Sequence, residues 1–161
     1  MDLNKILELK NQANNLTKEK KWNEAEISYK NIISKIEEIP NEKITDEILN
    51  QKKLILSNLS LVLVKQNKIK ESKKIDVKII TKLDKNFSKS YARLILNYLE
   101  ENNFACARYH YNLMNDNCSK EDINKFPEVI KRIDNEIQEK DSFVQSIQAM
   151  KNLFKNYKPS S

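Results

Sequence analysis

Apolar residues recur three and four positions apart along most of this 161-residue chain. Such spacing places apolar side chains on one face of an α-helix. The chain contains no glycine, which disfavours the tight turns of hairpin-rich β-sheets, and its prolines occur only at positions 40, 127 and 159. The pattern therefore predicts an all-α protein.

The helical pattern repeats three times with identical internal spacing. The equivalent positions are Ala13, Leu16, Trp22, Ala25, Tyr29 and Ile32, then Ser60, Leu63, Ile69, Ser72, Asp76 and Ile79, then Ile95, Tyr98, Phe104, Ala107, Tyr111 and Met114. Each copy predicts two helices, with a large residue at the turn and a small residue where the second helix crosses the first. One such pair cannot bury its own apolar face, so the three pairs are expected to stack.

The stretch ANNLTKEKKWNEAEISYKNI, residues 13–32, resembles a tetratricopeptide repeat, and the other two copies share its spacing. The resemblance implies three units, approximately residues 6–39, 46–84 and 88–117, arranged in a right-handed superhelix. Two departures stand out in the second unit. It ends about one residue late, and Asp76 occupies a position that is usually aromatic, which is expected to weaken the packing of that helix pair.

Residues 118–161 are expected to form a long C-terminal capping helix and tail. Because Pro127 biases Phe126 away from the helical conformation, the helix is predicted to start near Pro127. Its apolar residues include a stripe able to seal the open end of the stack: Val129, Ile130, Ile133, Ile137, Phe143, Val144, Ile147, Met150 and Phe154. This ending resembles the C-terminal part of the large FK506-binding immunophilins, in which a prolyl isomerase domain precedes the repeats.

Composition argues against several kinds of chemistry. A chain without glycine has neither a glycine-rich phosphate-binding loop nor a GxSxG nucleophile elbow. The two cysteines, Cys106 and Cys118, and the single histidine, His110, give neither a disulfide framework nor a zinc site, and His110 is expected on a helix surface. We therefore predict no catalytic residue, no metal and no cofactor.

Five polar residues carry the functional prediction. In tetratricopeptide domains the first helices of successive units line a concave groove, and the resemblance assigns Lys10, Asn14, Asn58, Lys89 and Arg93 to it. These residues resemble the dicarboxylate clamp of co-chaperones that bind the C-terminal EEVD sequence of the heat shock proteins of the ninety and seventy kilodalton classes. Lysine supplies a point charge, arginine a fork of donors and asparagine a neutral donor, a set that suits two carboxylates. Their side chains are expected to be solvated.

The resemblance implies a cytoplasmic co-chaperone adaptor, compatible with nuclear shuttling, that has no isomerase activity in this chain. The formal charge of +6 leaves two alternatives open: a scaffold for another acidic C-terminal peptide, as in a targeting receptor or assembly factor, and, less favoured, a basic helical nucleic-acid binder. The basic amphipathic segment Met150–Tyr157 adds calmodulin as a candidate partner. No apolar run is long enough for membrane insertion.

Overall fold

The computed structural model describes residues 1–155 and Tyr157. Within residues 1–155 the chain forms helices and no strand, which confirms the all-α prediction. The α-helices are α1 (Leu3–Lys18), α2 (Trp22–Glu37), α3 (Asp46–Lys65), α4 (Ile69–Lys78), α5 (Ser88–Glu100), α6 (Phe104–Asn117), α7 (Lys120–Ile123) and α8 (Pro127–Lys155). None of these helices is both long enough and apolar enough to cross a membrane.

The turns α1–α2, α3–α4 and α5–α6 share one backbone geometry. One residue at the same place in each turn has a positive φ: Lys20 (59°), Asn67 (60°) and Asn102 (56°). The next backbone N–H donates to the carbonyl five residues earlier: Lys21 to Leu16 (2.9 Å), Lys68 to Leu63 (2.8 Å) and Asn103 to Tyr98 (2.8 Å). These bonds are those of a Schellman helix ending. The threefold sequence pattern thus corresponds to three helix–turn–helix pairs of equivalent local structure.

Consecutive helices pack against one another from α1 to α6, and α8 packs against α5 and α6. The small residues predicted at the helix crossings, Ala25, Ser72 and Ala107, are fully buried. Their size lets the two helices of each pair approach closely. One apolar cluster lies among α1 to α4 and a second among α5, α6, α7 and α8.

The extra residue of the second pair is accommodated by a π-helical turn, Ile79–Leu83, that directly follows α4. The backbone N–H of Asp84 donates to the Ile79 carbonyl over 2.8 Å, closing a bond between residues five apart. A π-turn contains one more residue than an α-turn. The insertion therefore widens the helix locally while Ile79 and Ile80 stay buried.

Only the first part of α8 packs against the other helices. Val129 and Ile133 are buried, whereas Phe143, Val144, Met150 and Phe154 are all more than half exposed. The apolar residues of this segment are predicted to include a stripe that seals the stack, and these four residues do not belong to it. The reason is length, since α8 has 29 residues and α5 and α6 have 13 and 14, which correspond to about 43 Å against about 20 Å. Residues 156 and 158–161 of the predicted tail lie outside the described residues.

His110 is also placed differently from the prediction. Its side chain is buried rather than at the helix surface, and its Nδ1 lies 2.8 Å from the Cys106 carbonyl oxygen. The ring stacks on Tyr98 with a centroid separation of 5.1 Å. The position faces α5, and the stacked Tyr98 ring covers the imidazole.

Candidate functional site

A depression of about 450 Å³ lies between α3, α5 and the segment around the start of α8. We call it the groove; it is lined by Asn58, Leu61, Val64, Lys89, Ala92, Arg93, Leu96, Asn97, Glu100, Phe126, Val129 and Arg132. The lining contains amide and cationic side chains as well as aliphatic and aromatic ones. The groove can therefore contact both an anionic group and an apolar group of one ligand.

Asn14 and Asn58 form a pair at the edge of the groove, although they are 44 residues apart in the sequence. Asn58 Nδ2 donates to Asn14 Oδ1 over 2.9 Å, and the Tyr29 hydroxyl donates to the same oxygen over 2.6 Å. Burial raises the pKa of Tyr29, so its phenol stays protonated and able to donate. Two donors thus fix the Asn14 amide, and its own N–H groups have no partner within residues 1–155.

Lys10 lies one helical turn before Asn14 on α1, but it does not line the groove. Its Nζ donates to Gln51 Oε1 on α3 over 2.6 Å, and the side chain is half-buried. Of the five predicted residues, Asn58, Lys89 and Arg93 line the groove. Asn14 does not line it but is hydrogen-bonded to Asn58, and Lys10 is hydrogen-bonded to Gln51 of α3.

Lys89 and Arg93 share the groove and one face of α5, yet their surroundings differ. Lys89 is exposed and has no ion-pair partner among residues 1–155. The Arg93 side chain is only 11% exposed, because its Nη1 donates to Asp76 Oδ1 over 2.7 Å and its Nη2 to Ser57 Oγ over 3.2 Å. The expectation that Arg93 is solvated is therefore wrong.

Asp76 is fully buried at the junction of α3, α4 and α5. Besides Arg93, its carboxylate accepts from Ser60 Oγ (2.7 Å) and Ser90 Oγ (2.9 Å). Burial raises the pKa of the Asp76 carboxyl, and the Arg93 charge and the two hydroxyls oppose that rise. Burial likewise lowers the pKa of Arg93, against the opposing charge of Asp76.

Asp76 was expected to weaken its helix pair, but it instead connects three helices through hydrogen bonds. The sequence pattern did not predict this role, nor did it predict Ser57, Tyr29 and Gln51 as partners of the site residues. One signal was available for Asp76. The repeat pattern predicts that position 76 is buried, and a buried carboxylate requires a cationic or hydroxyl partner. An arginine or serine on a neighbouring helix could therefore have been predicted as that partner.

The rim of the groove carries a pair of opposite charges. Arg132 of α8 donates to Glu100 of α5 over 2.8 Å, and both side chains are substantially exposed. These two charges balance each other, and so do those of Arg93 and Asp76. Lys89 therefore supplies the net positive charge among the charged groups that line or adjoin the groove.

A larger depression, of about 740 Å³, lies between the start of α1 and the segment that joins α2 to α3. Its charged lining residues are of both signs, Asp2, Lys35, Glu38, Lys43 and Glu47. It contains neither asparagine nor arginine, so it lacks the amide and guanidinium donors of the groove.

Within the described residues, no three histidine, cysteine, aspartate or glutamate side chains cluster as metal ligands would. Neither a comparison with models of known protein families nor a comparison with curated proteins finds a match to this sequence. The chemistry of the groove is that of hydrogen-bond donors beside an apolar surface, an arrangement suited to binding a carboxylate-bearing chain.

Proposed function

We propose that this chain is a tetratricopeptide-type adaptor that binds the acidic C-terminal peptide of a heat shock chaperone of the ninety or seventy kilodalton class. The three helix pairs form the right-handed superhelix of that repeat family, with α8 as the capping helix. The adaptor acts in the cytoplasm through recognition. Any prolyl isomerase activity, such as that of the immunophilins that the chain resembles, would reside outside this chain.

One observation carries this proposal: Asn58 of α3 and Lys89 and Arg93 of α5 line one groove, and Asn14 of α1 is hydrogen-bonded to Asn58. A terminal aspartate presents two carboxylates close together, which need several donors when they leave water. Lys89 supplies charge, Arg93 a planar fork and the amides neutral donors. The aliphatic lining formed by Leu61, Val64 and Leu96 suits the valine that precedes the terminal aspartate of EEVD.

The free terminal carboxylate tests this function most directly. Calorimetric titration of the chain with a peptide ending in EEVD is expected to show binding, and the same peptide with an amidated terminus is expected to bind roughly ten-fold or more weakly, because a charge-assisted hydrogen bond is lost. Equal affinity for the two peptides would refute the proposal.

A lysine pair provides the matched control. Lys89→Ala should weaken binding of the free acid by roughly ten-fold, because it removes the uncompensated cation of the groove. Lys74→Ala removes another exposed lysine, on α4, that does not line the groove. We expect the second variant to bind as the wild type does, so equal losses in the two variants would indicate a nonspecific charge effect.

Two alternatives give different results in the same titrations. A scaffold for another acidic C-terminal peptide would require the free carboxylate but would not prefer EEVD over other sequences ending in aspartate. A nucleic-acid binder would bind a duplex or single strand with an affinity that falls steeply with salt. The mixed charge of the groove rim, with Glu100 beside Arg132, favours the peptide over a polyanion.

Calmodulin is a second candidate partner, for the end of α8. Met150, Leu153 and Phe154 are 56%, 74% and 74% exposed, and Lys151 and Lys155 lie beside them. A basic helix with exposed apolar side chains is what calmodulin binds. The predicted segment also includes Asn156, which lies outside the described residues. A calcium-dependent complex with the whole chain, lost in Phe154→Asp, is expected, and its absence would remove this partner.

We also expect no prolyl isomerase activity from this chain, because its proposed role is to hold a peptide rather than to turn one over. Pure protein should leave the uncatalysed isomerisation rate of a proline-containing test peptide unchanged. Any acceleration that persists through further purification would contradict this expectation.

A further inference from the structure

Asp76 and Arg93 form a buried ion pair directly behind the groove. The carboxylate of Asp76 is fully buried, and the guanidinium of Arg93 is the group that connects it to the groove lining. An uncompensated buried carboxylate is strongly unfavourable, so Asp76 retains the guanidinium beside it. The pair therefore restricts where the Arg93 side chain can lie.

Two separate anchors act on the guanidinium. Nη1 donates to Asp76 from α4 and Nη2 donates to Ser57 from α3, over 2.7 Å and 3.2 Å. Two donors in one rigid plane fix the orientation of that plane as well as its position. A guanidinium has five N–H groups, and these two bonds use two of them, which leaves donors for a ligand.

The Asp76 carboxylate is itself held in place. Ser60 of α3 donates to one of its oxygens, and Ser90 of α5, one turn before Arg93, donates to the other. All three helices that meet here therefore fix the acceptor to which Arg93 is bonded. A carboxylate anchored in this way can orient a guanidinium more rigidly than a solvated one.

We propose that Asp76 is a positioning residue of the groove, which holds the Arg93 guanidinium in one orientation so that a ligand carboxylate meets a preorganised fork of donors. This inference rests on the proposed function, because it concerns the affinity of the same groove for a carboxylate. A preorganised donor loses little conformational entropy when the ligand binds. Removing Asp76 leaves Arg93 in place along the chain but frees its side chain.

The first experiment requires no peptide. The chain has only three arginines, so a nitrogen–proton NMR spectrum of the whole protein contains three Nε–Hε signals, and Arg93→Lys identifies the one from Arg93. In the wild type this signal is expected to exchange slowly with water. In Asp76→Asn it is expected to exchange as fast as that of the exposed Arg108. Unchanged protection of Arg93 in a folded Asp76→Asn protein would overturn the proposal.

Glu26→Gln is the matched control for this measurement. Glu26 is a second buried carboxylate held by cationic side chains, but its partners Lys30 and Lys68 lie outside the groove. The control also removes a buried charge and is expected to leave the Arg93 signal protected. Loss of protection in both variants would indicate general loosening of the fold and would contradict a specific role of Asp76.

The second experiment is a double-mutant cycle in peptide affinity. Asp76→Asn should weaken binding of a peptide ending in EEVD by roughly five- to ten-fold, and it should have no further effect in an Arg93→Gln background, because its influence passes through Arg93. Glu26→Gln should leave affinity unchanged. Additive losses from Asp76→Asn and Arg93→Gln would show that Asp76 does not act through Arg93.

Two milder variants apply if Asp76→Asn does not fold. Ser57→Ala removes the second anchor of Arg93, and Ser90→Ala removes one donor to Asp76. Each is expected to accelerate exchange of the Arg93 signal and to weaken binding by roughly two- to three-fold. No change in exchange in either variant would overturn the proposal. If the wild type itself fails to bind the peptide, the proposed function fails, while the NMR measurement still decides whether Asp76 positions Arg93.

Discussion

Lys89 and Arg93 lie one helical turn apart on α5, but they differ in what their removal would expose. Lys89 projects into solvent, so truncating it uncovers little apolar surface and strands no charge. Arg93 compensates the buried carboxylate of Asp76. Truncation of Lys89 is therefore expected to affect binding alone. Truncation of Arg93 is expected to affect both binding and the stability of the fold.

Denaturant unfolding of the two alanine variants checks this contrast. Lys89→Ala should leave the free energy of unfolding unchanged within about 0.5 kcal/mol. Arg93→Ala should lower it by about 3 kcal/mol at neutral pH, because Asp76 is left buried without its cation. Since the pKa of Asp76 is already raised, protonation relieves the unpaired charge, and the deficit should shrink as the pH falls. Equal stability of the two variants would contradict the burial of the pair.

At the scale of helices and turns, three helix endings use positive φ without a glycine. Asn tolerates this conformation comparatively well, whereas Lys20 occupies it without a side chain that favours it. Lys20→Gly should therefore raise the free energy of unfolding by about 0.5–1 kcal/mol. The control Lys18→Gly, inside the last turn of α1, should lower it by about 1 kcal/mol. Destabilisation by Lys20→Gly would exclude the left-handed conformation at this turn.

A second prediction at this scale concerns Glu26, which ties α2 to the turn between α3 and α4. Burial alone would raise its pKa, but hydrogen bonds from Lys30, Lys68 and Gln66 outweigh burial and lower the pKa from 4.5 to about 2. A lowered pKa means that folding favours the charged form. This contribution to stability is fully present above about pH 4.5 and is lost as the pH falls towards 2.

Removing the charge of Glu26 should remove that pH dependence. Glu26→Gln is expected to lower the free energy of unfolding at pH 7 by about 1–3 kcal/mol. The expected loss is smaller than the pKa shift alone would give, because Lys30 and Lys68 are partly exposed and solvent screens their charges. Stability of the variant should then change less between pH 4.5 and 2 than that of the wild type. Glu24→Gln, an exposed carboxylate on the same helix, is the control and should behave as the wild type does.

At the scale of the whole molecule, α8 has two parts with different roles. Its first part contributes Val129 and Ile133 to the apolar cluster with α5 and α6. Its second part, from Phe143 onward, carries apolar side chains that are exposed. The folded domain is therefore expected to depend on the first part and to be independent of the second.

Truncation after Asp141 tests this division. The shortened chain should have an unfolding free energy within about 0.5 kcal/mol of that of the whole chain and should lose only the helical signal of the missing residues. It keeps Lys140, whose Nζ lies 5.9 Å from the centroid of the Phe104 ring. Ile133→Ala should instead cost about 2–4 kcal/mol, since this side chain is fully buried. A large loss on truncation would mean that the second part packs against the domain.

The sequence by itself determined the helices, their threefold spacing and the residues at the close crossings. Ala25, Ser72 and Ala107 could be recognised because the helical period and the need for small side chains at a crossing are local properties. The start of α8 at Pro127 follows from the same kind of local constraint. The candidate site was named from the sequence through a family resemblance, and it remains a proposal.

Only the tertiary structure decided the environments of those residues. Arg93 is mostly buried because Asp76, 17 positions earlier, lies beside it on another helix, and Asn14 is fixed by Asn58 and Tyr29 from two further helices. The extent of capping by α8 likewise depends on where α5 and α6 end. The burial and the ion-pair partners of a residue depend on helices that are distant from it in the sequence. A periodic pattern indicates which face of a helix is covered, but not which partner covers it.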